Sequence, residues 1–217
     1  MIIYFLILYF QIQEKLKIKE NDLYNQKRTI AIQKEEYSKN NISSEIKNDY
    51  KIKFYNDCES LIECEKRLVI KGDKECNNGI DDALKLLQLK SFDEYYYVVK
   101  YIGFIHCEDK GSGIYSWYDP PEVILGQASI DGGTIWLAGS LVHEACHSYL
   151  YRNYIIENST ISIVPKEIYS GEKAEQICLD KQYKSLENIG ADQQTLDHIK
   201  NSINTKYWEV EYKDRWW

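Results

Sequence analysis

His143 and His147 stand four residues apart with a glutamate directly after the first, in the stretch Leu141-Val142-His143-Glu144-Ala145-Cys146-His147-Ser148. At about 3.6 residues per turn, side chains four apart leave a helix on one face, so both imidazoles can reach one metal ion while Glu144 lies one position round. Zinc takes neutral imidazole nitrogens readily, and three protein ligands plus one water leave a position at which that water is activated. Glu144, held beside the water, is the expected general base, taking its proton and passing it to a leaving amine. The plain alternative is that two of the four histidines fell at this spacing by chance. Their setting argues otherwise. Ile135-Trp136-Leu137-Ala138 and Leu141-Val142 lead in and Tyr149-Leu150-Tyr151 leads out, a frame that suits a largely buried helix better than a solvated cluster.

His143-Glu144-x-x-His147 resembles the active-site helix of the zincin metallopeptidases, over a motif of five residues. The wider frame, Trp136-Leu137-Ala138-Gly139 running into Leu141-Val142-His143-Glu144, is similar to small bacterial zincins of unassigned substrate. The resemblance implies that His143 and His147 bind Zn2+, that Glu144 is the catalytic base, and that the third ligand is a His, Glu or Asp from elsewhere in the chain. The metzincin branch needs a Gly and a third His soon after the pair, where this chain has Ser148-Tyr149-Leu150-Tyr151-Arg152. The gluzincin branch takes an acid from a following helix, often as E-x-x-A.

Such a helix opens at Tyr169-Ser170-Gly171-Glu172-Lys173-Ala174-Glu175-Gln176-Ile177-Cys178, with Ser170 as the expected N-cap and Gly190 as the expected stop. Two glutamates compete for the metal. Glu175, Cys178 and Gln182 share a face, with the apolar Ile177–Ile189 side nearby, which favours Glu175. Glu172 stands in the first turn, where the helix dipole alone favours an acid. Cysteine replaces the alanine of E-x-x-A. Cys146 and Cys178 each follow a proposed ligand by three residues, on nearly the same side of its helix. If both helices face one ion, the two sulfurs can meet and staple them together; two buried free thiols are the alternative.

The elements that must position these groups belong to one domain, expected over residues 57–217. Residues 11–56 hold 10 Lys/Arg against 7 Asp/Glu, while 57–217 hold 17 against 27, a net of −10. That acidic balance excludes a nucleic-acid-binding domain. Residues 1–10 are uncharged and apolar. As a helix they rise about 15 Å, half a bilayer core, so they read as a signal or anchor remnant, or as a buried first element. They lack the basic leader and small-residue cleavage site of a secretory signal. Residues 11–56 form a polar helical arm or linker in which Leu16, Leu23, Ile30 and Tyr37 recur every seventh position until Asn40-Asn41, consistent with a membrane spacer or a solvated helix.

All six cysteines follow that arm: Cys58, Cys64, Cys76, Cys107, Cys146 and Cys178. An even number without zinc-ribbon spacing predicts disulfides and an extracytoplasmic location, anchored or secreted, with Cys76 or Cys64 a partner for Cys107. Lys15, Lys17 and Lys19 pull the other way, since basic flanks of an apolar segment tend to stay cytoplasmic. Ile80–Leu87 is amphipathic, and Ser91-Phe92-Asp93-Glu94 reads as a capping box opening a helix that runs towards His106, itself a core or helix-end histidine. Around Gly111-Ser112-Gly113 the pattern turns to short strands over 114–118, 123–125 and 128–130. Thr134 is the expected N-cap of the motif helix, which is expected to end near Arg152. By resemblance to zincins, Ala128 to Ile130 forms the cleft edge on which an extended substrate adds. Residues 161–164 suggest another extended piece, and Leu196, Ile199 and Ile203 share the face of a last helix. The aromatic end, Tyr207–Trp217, either packs back onto the domain or lines a cleft. A donor for the oxyanion is not singled out among His198, Tyr169, Tyr149, Tyr151 and Tyr154.

The expected molecule is an α+β, zincin-like protein, mostly helical, with a small β-sheet beside the motif helix. It is expected to be a zinc metallopeptidase acting on peptides or proteins, with His143, His147 and Glu175 on the metal and a zinc-bound water activated by Glu144. The competing readings are a binding or structural protein that keeps the scaffold with little turnover, and a hydrolase of another amide or ester.

Overall fold

The structure, a computed structural model, describes residues 58, 60–109, 111–158 and 164–209, within the second of the two units into which the chain divides, Ile42–Trp217. The apolar start, the polar arm, the extended piece at 161–163 and the tail from 210 lie outside the described residues.

Three helices and a strand open the domain. The first helix, α1 (Leu61–Arg67), is capped by Ser60 and leads into strand β1 (Val69–Lys71). In α2 (Lys74–Lys90), Asp73 accepts a hydrogen bond from the Cys76 amide, and Cys76, Ile80, Ala83, Leu84 and Leu87 form the buried stripe. This is the spacing of a helix laid on a core. Helix α3 (Phe92–Tyr101) starts where the Ser91–Glu94 pattern predicts, but without the reciprocal side-chain bonds. Ser91 makes no side-chain cap, and the Glu94 carboxylate lies 2.9 Å from the Lys181 ammonium instead. A long-range ion pair has taken the acid that a local cap would use.

The expected continuation of that helix to His106 is overturned. It stops at Tyr101, and residues Phe104–Glu108 form strand β2, where pairing to neighbours on both sides outweighs local helix preference. Strands β3 (Gly113–Tyr115) and β4 (Glu122–Gly126) complete a four-stranded sheet in the order β1-β2-β4-β3. The first three in that order are parallel, and β3 runs antiparallel on the outer edge. Ala128–Ile130, expected as an edge strand, is instead the short helix α4 (Gln127–Asp131). A short apolar run cannot declare its period, and here Ser129 is buried against Ser112, with 2.6 Å between hydroxyl oxygens.

The long helix α5 (Gly133–Glu157) runs through the middle, with every residue from Leu137 to Ser148 buried. Its cap is Gly132, not Thr134, and it passes the expected end at Arg152 by more than a turn. A helix apolar on all sides must be surrounded, and α2, α3, the short α6 (Lys166–Tyr169) and α7 (Glu172–Ile189) all pack on it. The packing against α7 is the most extensive. Gly139 permits it: a Cβ there would stand 2.8 Å from the Leu186 side chain. Gly190, in the left-handed conformation at φ 87°, ends α7 as expected. Helix α8 (Gln193–Thr205) and a 3-10 turn at Tyr207–Glu209 close the described chain. Three disulfides, Cys58–Cys64, Cys76–Cys107 and Cys146–Cys178, account for all six cysteines. Of the two partners expected for Cys107, Cys76 takes the position.

Candidate metal centre

His143 and His147 leave α5 on one face, as four-residue spacing requires, and their Nε2 atoms lie 2.9 Å apart. Glu175 reaches them from the first turn of α7, with Oε2 3.3 Å from His143 Nε2 and 3.6 Å from His147 Nε2. All three side chains are buried, and they form the one such group of potential metal ligands among the described residues. Glu172, the first residue of the helix, is exposed, whereas the facing of Glu175, Cys178 and Gln182 is realised: all three are buried. Ile177, expected near that face, is 43% exposed.

The donor set fits a divalent cation. Tetrahedral bonds of about 2.0–2.2 Å place ligand atoms about 3.4 Å apart, close to the three separations found here. Lone pairs at such distances repel unless a proton or a cation sits between them. His147 is also held in the required tautomer, because its Nδ1 is 2.9 Å from the Tyr169 carbonyl oxygen. Donation there turns the Nε2 lone pair towards the cluster. His143 lacks that support: its Nδ1 is buried without a hydrogen-bond partner.

Electrostatics agree. Burial opposes charge on His147, but the adjacent Glu175 carboxylate, with help from Glu144 and the Tyr169 carbonyl, raises the imidazole above its ordinary range. Burial also opposes an ionised Glu175, yet its contacts with His143 and His147 hold the carboxyl well below the usual carboxylate range. The carboxylate is thus ready to bind a cation at any ordinary pH.

Around the cluster opens a cleft of about 730 Å3. Glu144 lines it beside the histidines, and Gly113 and Ile114 of β3 form part of one rim. Strand β3 pairs only with β4 among the described strands. Residues 128–130, expected as a strand at the cleft edge, are helical, and the strand residues that line the cleft lie earlier in the chain. Trp117 and Tyr169 stand edge to face at 6.0 Å on that side, and buried Arg152, 3.7 Å from Asp119, ties the intervening loop to α5. The disulfide Cys146–Cys178 joins the two ligand-bearing helices next to the site.

Of the residues considered as oxyanion donors, His198 and Tyr169 line the cleft, although Tyr169 contributes its carbonyl to His147. Tyr149 packs with Tyr97 and Tyr101, Tyr151 contacts the Tyr169 ring, and neither they nor Tyr154 line the cleft. Tyr207 does: its hydroxyl donates to Glu175 Oε2 at 2.7 Å. Nothing but its place in an aromatic tail set it apart in the sequence. Among the described residues His106 joins no group of potential metal ligands; it bridges Glu122 at 2.8 Å and Glu108 at 3.1 Å on the sheet. No protein-family model, curated protein or solved structure matches this chain.

Proposed function

We propose that the protein is a zinc-dependent metallopeptidase of the zincin type, with a glutamate as third ligand. The observation that carries this reading is the convergence of His143, His147 and Glu175 within 3.6 Å of one another at an open cleft, with Glu144 in the cleft wall beside them. His143, His147 and Glu175 hold the metal. Zinc, when bound, polarises the scissile carbonyl and makes the attacking water acidic. Glu144 accepts a proton from that water and delivers it to the leaving nitrogen. The Tyr207 hydroxyl, 2.7 Å from Glu175, is the donor we assign to the negative charge that develops on the carbonyl oxygen. Gly113 and Ile114 offer a strand edge along which an extended peptide is held by main-chain hydrogen bonds. The three disulfides point to an oxidising, extracytoplasmic setting, so peptides and proteins met there are the expected substrates.

The test is hydrolysis of a quenched fluorescent peptide library by zinc-loaded protein and by Glu144→Gln. The parent should cleave. The variant should lose about 10²-fold or more of the rate while retaining one zinc per chain by elemental analysis. A parent that binds zinc but cleaves no peptide, or a variant as active as the parent, defeats the proposal.

A further inference from the structure

The cleft does not end at the ligands. It continues between α5, α7 and α8, and this arm contains a nearly buried carboxamide that opens onto the cleft. Gln182 is 4% exposed and lines the cleft, yet its carboxamide makes no hydrogen bond in the structure. Its place follows from the helix pairing. Helices α5 and α7 run antiparallel, since Cys146 is bonded to Cys178 while Gly139 lies against Leu186, and this sets Gln182 opposite His143. Gln182 is also two turns beyond Glu175 on the same face, about 10 Å along α7.

The surroundings of Gln182 mix apolar and uncharged polar side chains. Leu179 precedes it on the same face, Ile199 approaches from α8, and both are buried. The Trp136 and His198 rings meet edge to face at 5.4 Å. The nearby hydroxyls are engaged: Ser140 donates to the Trp136 carbonyl and Ser202 to that of His198. The charged residues that line the cleft are Glu144, Glu175 and Lys166, and none of them belongs to α8 or to α7 beyond Glu175.

We propose that the arm is a peptide-backbone subsite centred on Gln182. A carboxamide carries a donor and an acceptor in one plane, as a residue of extended chain does with its N–H and C=O. An extended substrate covers about 10 Å in about three residues. The Gln182 side chain therefore pairs with the main chain about three residues from the bond that is cut, and an uncharged apolar side chain there packs on Leu179 and Ile199. The substrate class is an oligopeptide or unfolded segment rather than a dipeptide. This rests on the metallopeptidase reading.

The experiment uses nested peptides lengthened one residue at a time on either side of the scissile bond. kcat/KM is measured with the zinc-loaded parent, and binding with zinc-loaded Glu144→Gln. On one side, the residue that reaches Gln182 should raise kcat/KM about tenfold, chiefly through KM. Aspartate at that position should cancel the gain. Gln182→Met, which keeps the shape without the amide, and Gln182→Glu, which keeps only acceptors, should both abolish the length dependence with zinc content unchanged. A gain that persists in both variants, or no gain in the parent, overturns the subsite while the peptidase reading stands. Loss of zinc from both variants would assign Gln182 to supporting His143, and also overturns it. If no peptide is cleaved by the parent or bound by Glu144→Gln, the peptidase reading fails and takes the subsite with it.

Discussion

Glu175 and Glu172 are one turn apart on α7, and only the first can see the histidines. Elemental analysis of Glu175→Ala should therefore show zinc lost or reduced well below one per chain, whereas exposed Glu172→Ala should retain the full complement. The raised pKa of His147 adds a pH dependence. A protonated imidazole cannot bind a metal, so zinc affinity should fall as pH drops through the raised value, starting above the ordinary histidine range near pH 6.5. Glu175, held low, stays ionised throughout and contributes nothing to that loss. A competition titration with a chromophoric chelator between about pH 8 and about pH 5.5 measures it; an affinity flat across that range contradicts the assignment. Tyr207→Phe removes a hydroxyl 2.7 Å from Glu175. It should lower kcat by about 10²-fold while leaving zinc bound, if the hydroxyl serves the oxyanion.

Two helices carry the centre, and their mutual position is set by a disulfide and a close approach. Replacing Cys146 and Cys178 together with serine opens a loop whose ends are 32 residues apart. It should cost about 2–4 kcal/mol of stability and weaken zinc binding more than loss of Cys58–Cys64, which joins no ligand-bearing helices. Chemical denaturation with zinc titration on both double variants separates the two effects. At Gly139 a methyl group would press on fully buried Leu186. Gly139→Ala should destabilise the fold by about 1–3 kcal/mol through overpacking, despite alanine's better helix propensity.

The domain has a metal-ready centre in a long cleft, one covered face on each side of α5, and three covalent ties. Because a ligand that binds only the folded state stabilises it, removing zinc with a chelator should lower the melting temperature, and re-addition should restore it. Reductant should deepen the effect, since a metal bound by His143, His147 and Glu175 would hold the same pair of helices as Cys146–Cys178. Among the described residues no helix is long and apolar enough to cross a membrane.

Local spacing was legible from the residues alone. His143, Glu144 and His147 lie within two turns, and Glu175, Cys178 and Gln182 lie within another two, so helical geometry assigns their faces without knowledge of the rest. The covalent link between Cys146 and Cys178 follows once those faces are set together. The strand at Phe104–Glu108, the helix at Gln127–Asp131 and the reach of Tyr207 to Glu175 were not legible in this way. Each depends on partners far along the chain: β1 and β4 for the strand, Ser112 for the helix, and the return of the 207–209 turn for the tyrosine. Periodicity reports what a segment prefers with its near neighbours, whereas packing between distant segments is settled by burial and hydrogen bonding once the chain is compact.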